Sequence, residues 1–201
     1  MVVTGEDDTL ADGSRTSEIE VSVDASSGTD WASLDSATVA VTTLDDEIAS
    51  FSITETDNST DVQESGTTDS FDVVLDTRPE FDVVLNIVSD DTDEATVDLA
   101  TLTFTNANWN TAQTVVVSGE DDVIVDGFQT TSIDLTADAS SGSAWSGLTG
   151  SVTVTTSDDD EPGFTVTPSN SGEVTEGGSS DMFEVVLNLS LIHISEPTRP
   201  Y

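Results

Sequence analysis

The stretch SFDVVLDTRPEFDVVLNIVS, Ser70 to Ser89, decides the fold. Its apolar residues recur at every second position. Phe71, Val73 and Leu75 share one face of the first half, and Phe81, Val83, Leu85 and Ile87 share one face of the second. Asp82 and Asn86 point the other way. A period of two is the mark of a half-buried strand, because successive side chains leave a pleated chain on opposite faces.

The same period runs outward in both directions. ASFSIT precedes the stretch. TLTFT carries Leu102 and Phe104, and TSIDLTAD carries Ile133, Leu135 and Ala137. SVTVTT carries Val152 and Val154. TVVVS, from Thr114, is a short apolar run expected to be buried on both faces. Thr, Val and Ile dominate these segments, and Gly, Asn, Asp and Ser fill the gaps. No segment of helical length shows a 3.6-residue period. Seven such strands in about 113 residues predict an all-β fold, an immunoglobulin-like seven-stranded Greek-key β-sandwich.

The chain repeats itself. VVTGEDDTLADG at Val2 matches VVVSGEDDVIVDG at Val115, and Trp31 in SSGTDWASL matches Trp145 in SSGSAWSGL. VAVTTLDDE matches VTVTTSDDDE, and SFDVVLD matches MFEVVLN. The offset drifts from 114 (Gly5 to Gly119) to 112 (Phe71 to Phe183). One complete repeat is therefore expected over residues 49–161, with the C-terminal half of an earlier one over 1–48. The N-terminal part of a third is expected over 162–188. Residues 189–201, LSLIHISEPTRPY, break the repeat and hold the only His and the only Tyr. They resemble the translated read-through of a transposase-type sequencing adaptor, and they are expected to add nothing to fold or binding. Trp31 and Trp145 are expected to plug one end of a core, and Trp109 is given the same role.

Composition narrows the function. The 201 residues carry 41 Asp and Glu against three Arg, for a formal net charge of -38. Such a chain repels nucleic acid and anionic membranes and strains its own compact state. Bound cations or high salt would relieve that strain. The 35% hydrophobic content, gathered in alternating runs, argues against disorder. There is no Cys, no membrane-spanning apolar stretch and no visible signal peptide. Without Cys or Lys, and with His confined to the tail, nucleophile chemistry of the Ser–His, Cys–His and Lys types is excluded, and no enzyme is expected.

The acids gather in four places in the complete repeat. Glu64 follows the first strand. Asp90, Asp91, Asp93 and Glu94 follow the third. Glu120, Asp121, Asp122 and Asp126 form the GEDDVIVDG loop, and Asp158, Asp159, Asp160 and Glu161 end the last strand. Two carboxylates about 4 Å apart repel by roughly 4 kcal/mol at an effective dielectric near 20. Such clusters must splay into water or bridge through a cation. Oxygen ligands without His or Cys select Ca2+ over zinc or copper.

The Glu-Gly-like start, the double Asp after the fifth strand and the terminal DDD linker resemble the Calx-beta repeat. That module occurs in sodium–calcium exchangers, integrin subunits and large bacterial surface proteins. The resemblance implies calcium at one end of the sandwich, with Glu64, Asp121, Asp122, Asp126, Asp158, Asp159 and Asp160 as ligands. It implies Asp7, Asp8, Asp12, Asp45 and Asp46 in the earlier repeat and Glu176 in the later one. Two departures stand against it. SDDTDEATVDLATL replaces the family's segment after the third strand, and VIVDG after the double Asp is poorer in acids.

The function expected is a calcium-stabilised structural or adhesive segment of a large extracellular or cell-surface bacterial protein. Its partners would be calcium ions, neighbouring repeats of the same chain and a cell-surface or matrix ligand, with no nucleic acid and no membrane insertion. The alternative is a halophilic acidic spacer without a defined metal site.

Overall fold

The computed structural model describes residues 1–31, 34–169 and 172–188; the expectation for 189–201 lies outside them. The described residues are all-β, with two short 3-10 turns and no α-helix. In chain order the first strands are β1 (Leu10–Ala11), β2 (Arg15–Val21), β3 (Ala37–Thr43), β4 (Phe51–Glu55), β5 (Thr60–Gln63), β6 (Thr68–Leu75) and β7 (Arg78–Pro79). Then come β8 (Val83–Ser89), β9 (Ala95–Val97), β10 (Thr101–Phe104), β11 (Gln113–Gly119), β12 (Gln129–Ala137) and β13 (Thr149–Ser157). The last two are β14 (Phe164–Pro168) and β15 (Phe183–Leu187).

Two sheets face each other. One has the order β10-β8-β12-β13-β5 and the other β4-β6-β11-β9. Every pairing within them is antiparallel except β13 with β5. The alternating residues meet between the sheets. Phe71, Val73, Val115 and Val117 come from one side, and Val83, Leu85, Phe104, Ile133, Leu135 and Val154 from the other, all with no measurable exposure. Burying each such side chain is worth about 1.5–3 kcal/mol, so this layer carries the stability. Outside it lie the hairpin of β2 with β3 and the pair β14–β15, which bury almost nothing of their own.

The first strand expected from sequence is in fact two. The chain leaves β4 through Thr56–Asn58, where Asp57 and Asn58 hold positive φ of 56° and 67°. Asp and Asn tolerate that region best among residues with a Cβ. The kink carries the chain across to the edge of the opposite sheet, where β5 runs parallel to β13. Glu64 therefore follows β5 rather than β4.

Other expectations need correcting. Phe81 is 62% exposed, because β8 begins only at Val83. The run TVVVS is not buried on both faces: Val115 and Val117 are buried, while Val116 between them is half-exposed. Trp145 closes the core at 2% exposure, and Trp109 packs against it, but Trp31 is 62% exposed.

Candidate metal centre

Register places four acidic segments at one end of the sandwich. Gln63 pairs with Ser157, so Glu64 and Asp158 emerge side by side as β5 and β13 end. The amide of Glu64 donates to Ser157 O at 3.1 Å. β11 ends at the same place, paired through Gly119 with Ala95 of β9, which brings in Glu94. A Cβ at Gly119 would sit 2.2 Å from the carbonyl oxygen of Gln63. Only glycine lets β11 pass so close to β5, which explains the Gly that opens GEDD.

The loop after β11 is fastened by acids acting as acceptors. Asp122 Oδ1 accepts from the amide of Ile124 at 2.6 Å. Asp158 Oδ2 accepts from the amides of Asp126 (2.9 Å) and Gly127 (2.8 Å), and its Oδ1 accepts from Asp160 at 2.7 Å. The bond from Gly127 leads in holding the Asp158 carboxyl below its ordinary pKa, and burial opposes it. Gly127 has a φ of 79°, the left-handed turn this closure needs.

Three of these carboxylates converge, and four buried carboxylate oxygens lack a partner. Glu64 is only 2% exposed. One oxygen each from Glu64, Asp122 and Asp160 lie within 4.8 Å of one another. Glu64 Oε2, Asp160 Oδ2, Asp126 Oδ1 and Glu94 Oε2 are buried with no hydrogen-bond partner in the protein. A buried oxygen of this kind ordinarily finds a donor, and leaving it without one costs about 1–3 kcal/mol. Burial first, and then the charges of Asp158, Asp122, Asp126 and Glu94, push the Glu64 carboxyl up to about 7. Burial also leads in raising Glu94, ahead of the charges of Asp126 and Asp91. It leads again in raising Asp160, ahead of the charges of Asp158 and Asp159.

Of the seven ligands implied by the resemblance, Glu64, Asp122, Asp126, Asp158 and Asp160 lie in this cluster. Asp121 and Asp159 stand at its exposed rim. Glu94, placed in the acidic run after the third strand but left out of the ligand set, enters it. The residue pattern carries no cue for this, because Glu94 is brought in by the pairing of β9 with β11. Glu120 turns away, accepting from Thr96 Oγ1 at 2.6 Å.

The matching N-terminal stretch, GEDDTLADG, carries the same fastening. Asp45 Oδ2 accepts from the amides of Asp12 (2.9 Å) and Gly13 (2.5 Å), and Asp8 Oδ1 accepts from Leu10 (2.8 Å). Gly13 has a φ of 80°. Its convergent group is Asp7, Asp46 and Glu47, more exposed than the central one. Glu176 is exposed.

No family model and no curated protein matches the chain, so the Calx-beta resemblance rests on the quoted residues. Among solved structures the chain is similar to domains 4 and 5 of the S-layer protein SbsC, at 19% identity and a TM-score of 0.38. That match covers 60% of this chain and 59% of that one. It is similar to the E. coli chaperone DraB at 6% identity and a TM-score of 0.42, covering 63% and 66%. It is also similar to SSP-19, an MSP-domain protein of Caenorhabditis elegans, at 14% identity and a TM-score of 0.33, covering 50% and 92%. At these values the likenesses assign neither a family nor a function.

Proposed function

We propose that the chain is a segment of a repeat protein built from immunoglobulin-like Greek-key sandwiches, each stabilised by calcium at its acidic end. In this reading residues 49–161 are one complete repeat, and 1–48 and 162–188 belong to the repeats on either side. The role is structural or adhesive, on the cell surface or outside it, and involves no catalysis.

One observation carries the calcium reading. Glu64 is buried with an oxygen that no donor reaches, and one of its oxygens lies within 4.8 Å of oxygens of Asp122 and Asp160. Water alone does not favour burying like charges together; a cation does. The donors are all carboxylate oxygens, the hard set that suits calcium. Glu64, Asp122 and Asp160 would hold the ion, with Asp126 and Glu94 within the same charge field. The ion supplies positive charge, and the protein supplies a cage that Asp158 keeps closed.

The exposure of the Asp7–Asp46–Glu47 group favours the second reading, a spacer whose acids serve solubility in high salt. Calorimetric titration of the full chain with calcium separates the two. The calcium reading expects saturable heat that Glu64→Gln and Asp160→Asn each diminish. The spacer reading expects no saturable heat in either the parent chain or the variants.

A further inference from the structure

The loop that carries Asp8 and Asp12 does more than surround acids. Between them lie Leu10 and Ala11, the strand β1, which runs parallel to β7 with Leu10 opposite Arg78 and Ala11 opposite Pro79. Ala11 is 1% exposed and belongs to the core of the central sandwich, although 37 residues lie between it and Ala49, the first residue of the central unit. Its carbonyl oxygen accepts the indole N–H of Trp145 at 3.1 Å, wholly buried. Arg15, just past the loop, pairs with Asp12 at 2.9 Å and also with Glu80.

We propose that this pair of residues is an inter-repeat connector, and that the tryptophan end of the central sandwich is a socket for it. The partner the socket fits is the acidic loop of the preceding repeat. It is recognised by three features: strand addition along Arg78–Pro79, an apolar side chain at the position of Ala11, and an acceptor for the Trp145 indole. Each has a physical reason. Strand addition satisfies main-chain groups at an open edge. A buried indole N–H needs an acceptor, and the central repeat leaves that task to Ala11. The Arg15–Glu80 pair sets direction and register from the rim.

Internal repetition supports the assignment. The central loop closes on Asp158 as the earlier one closes on Asp45, and it carries Ile124–Val125 at the connector positions. Val123 and Phe128 beside them are 61% and 79% exposed. The central repeat thus offers the same connector to a further repeat of this kind. Repeats join acidic end to tryptophan end, whether or not a cation is bound.

The test is hydrogen exchange of the Trp145 indole in the full chain, read by proton–nitrogen NMR beside the amides of Val152 and Val154. Ala11→Glu places a charge at a position that is 1% exposed, and Arg15→Glu reverses an exposed charge without touching the core. Exchange of the indole should quicken roughly tenfold or more in Ala11→Glu and less in Arg15→Glu, while Val152 and Val154 keep their protection. Quickening in Ala11→Glu alone retains the connector and removes Arg15 from it. An indole unmoved in both variants overturns the proposal. So does an indole that quickens only together with Val152 and Val154, since the loop would then be part of the sandwich core and not a docked partner.

Discussion

Asp158 and Asp126 are tied through the backbone: one oxygen of the Asp158 carboxylate accepts the amide of Asp126 at 2.9 Å and that of Gly127 at 2.8 Å. Thirty-two residues apart, they close the acidic loop onto the end of β13. Asp45 does the same for Asp12 and Gly13 in the matching N-terminal loop. The closure is thus common to the two matching GEDD loops.

Asp158→Ala removes the acceptor for three amides at once, counting that of Asp160. A hydrogen bond to a charged group is worth about 1.5–3 kcal/mol, and the freed amides of an exposed loop find water. We expect a loss of about 2 kcal/mol in urea denaturation. Asp159→Ala, at the exposed rim, should cost less than about 0.5 kcal/mol. Equal losses would mean that the closure contributes nothing specific.

Gly119→Ala tests the close passage of β11 over β5. The added Cβ meets backbone, the Gln63 carbonyl, which cannot swing aside as a side chain would. A loss of about 1–3 kcal/mol is expected, as for other overpacked sites. Gly28→Ala, with nothing within 4 Å of its Cβ, should change stability by less than about 0.5 kcal/mol. Denaturation midpoints of the two variants check this directly.

The state of Glu64 predicts a pH effect in chelator. Its carboxyl is raised from 4.5 to about 7, so the folded chain holds that proton more tightly than the unfolded chain does. The resulting stability is fully present below about pH 4.5 and is lost as pH rises through about 7. Glu64→Gln carries no such proton. The stability of the parent chain relative to Glu64→Gln should therefore fall from pH 4.5 to pH 7.5. A flat difference across that window would show that Glu64 is not held in its buried, charge-crowded place.

The strand faces were legible in the sequence because burial between two sheets imposes a period of two. Phe71, Val73, Leu75, Leu102, Phe104, Ile133, Leu135, Val152 and Val154 all lie where alternation puts them. Phe81 misled because alternation continues past the point where hydrogen bonding stops. The switch from β4 to β5 was hidden in Asp57 and Asn58, whose left-handed backbone a residue pattern does not announce. The acidic clusters were legible as clusters, but not which acid faces inward. Neighbours in a loop point different ways: Asp122 turns in where Asp121 turns out, and Glu94 reaches the cluster only through the pairing of β9 with β11. The seat of Ala11 under Trp145 is a contact across 134 residues that no local pattern encodes.

Thermal melting of the full chain in calcium, magnesium and matched sodium chloride tests the central claim most directly. Extracellular calcium modules bind at roughly 10⁻⁴–10⁻³ M. At ten times such a constant, one site adds about 1.4 kcal/mol to the folded state, a rise of about 4–8 °C for a unit this size. Magnesium should do less, because it sheds water reluctantly. Sodium chloride should screen without saturating. Asp122→Asn and Asp160→Asn should each abolish most of the calcium response, while Asp121→Asn and Asp159→Asn at the rim keep most of it. If calcium and matched salt raise the melting temperature alike, or if Asp122→Asn and Asp160→Asn keep the whole response, the acidic end binds no calcium and the chain is a solvated spacer.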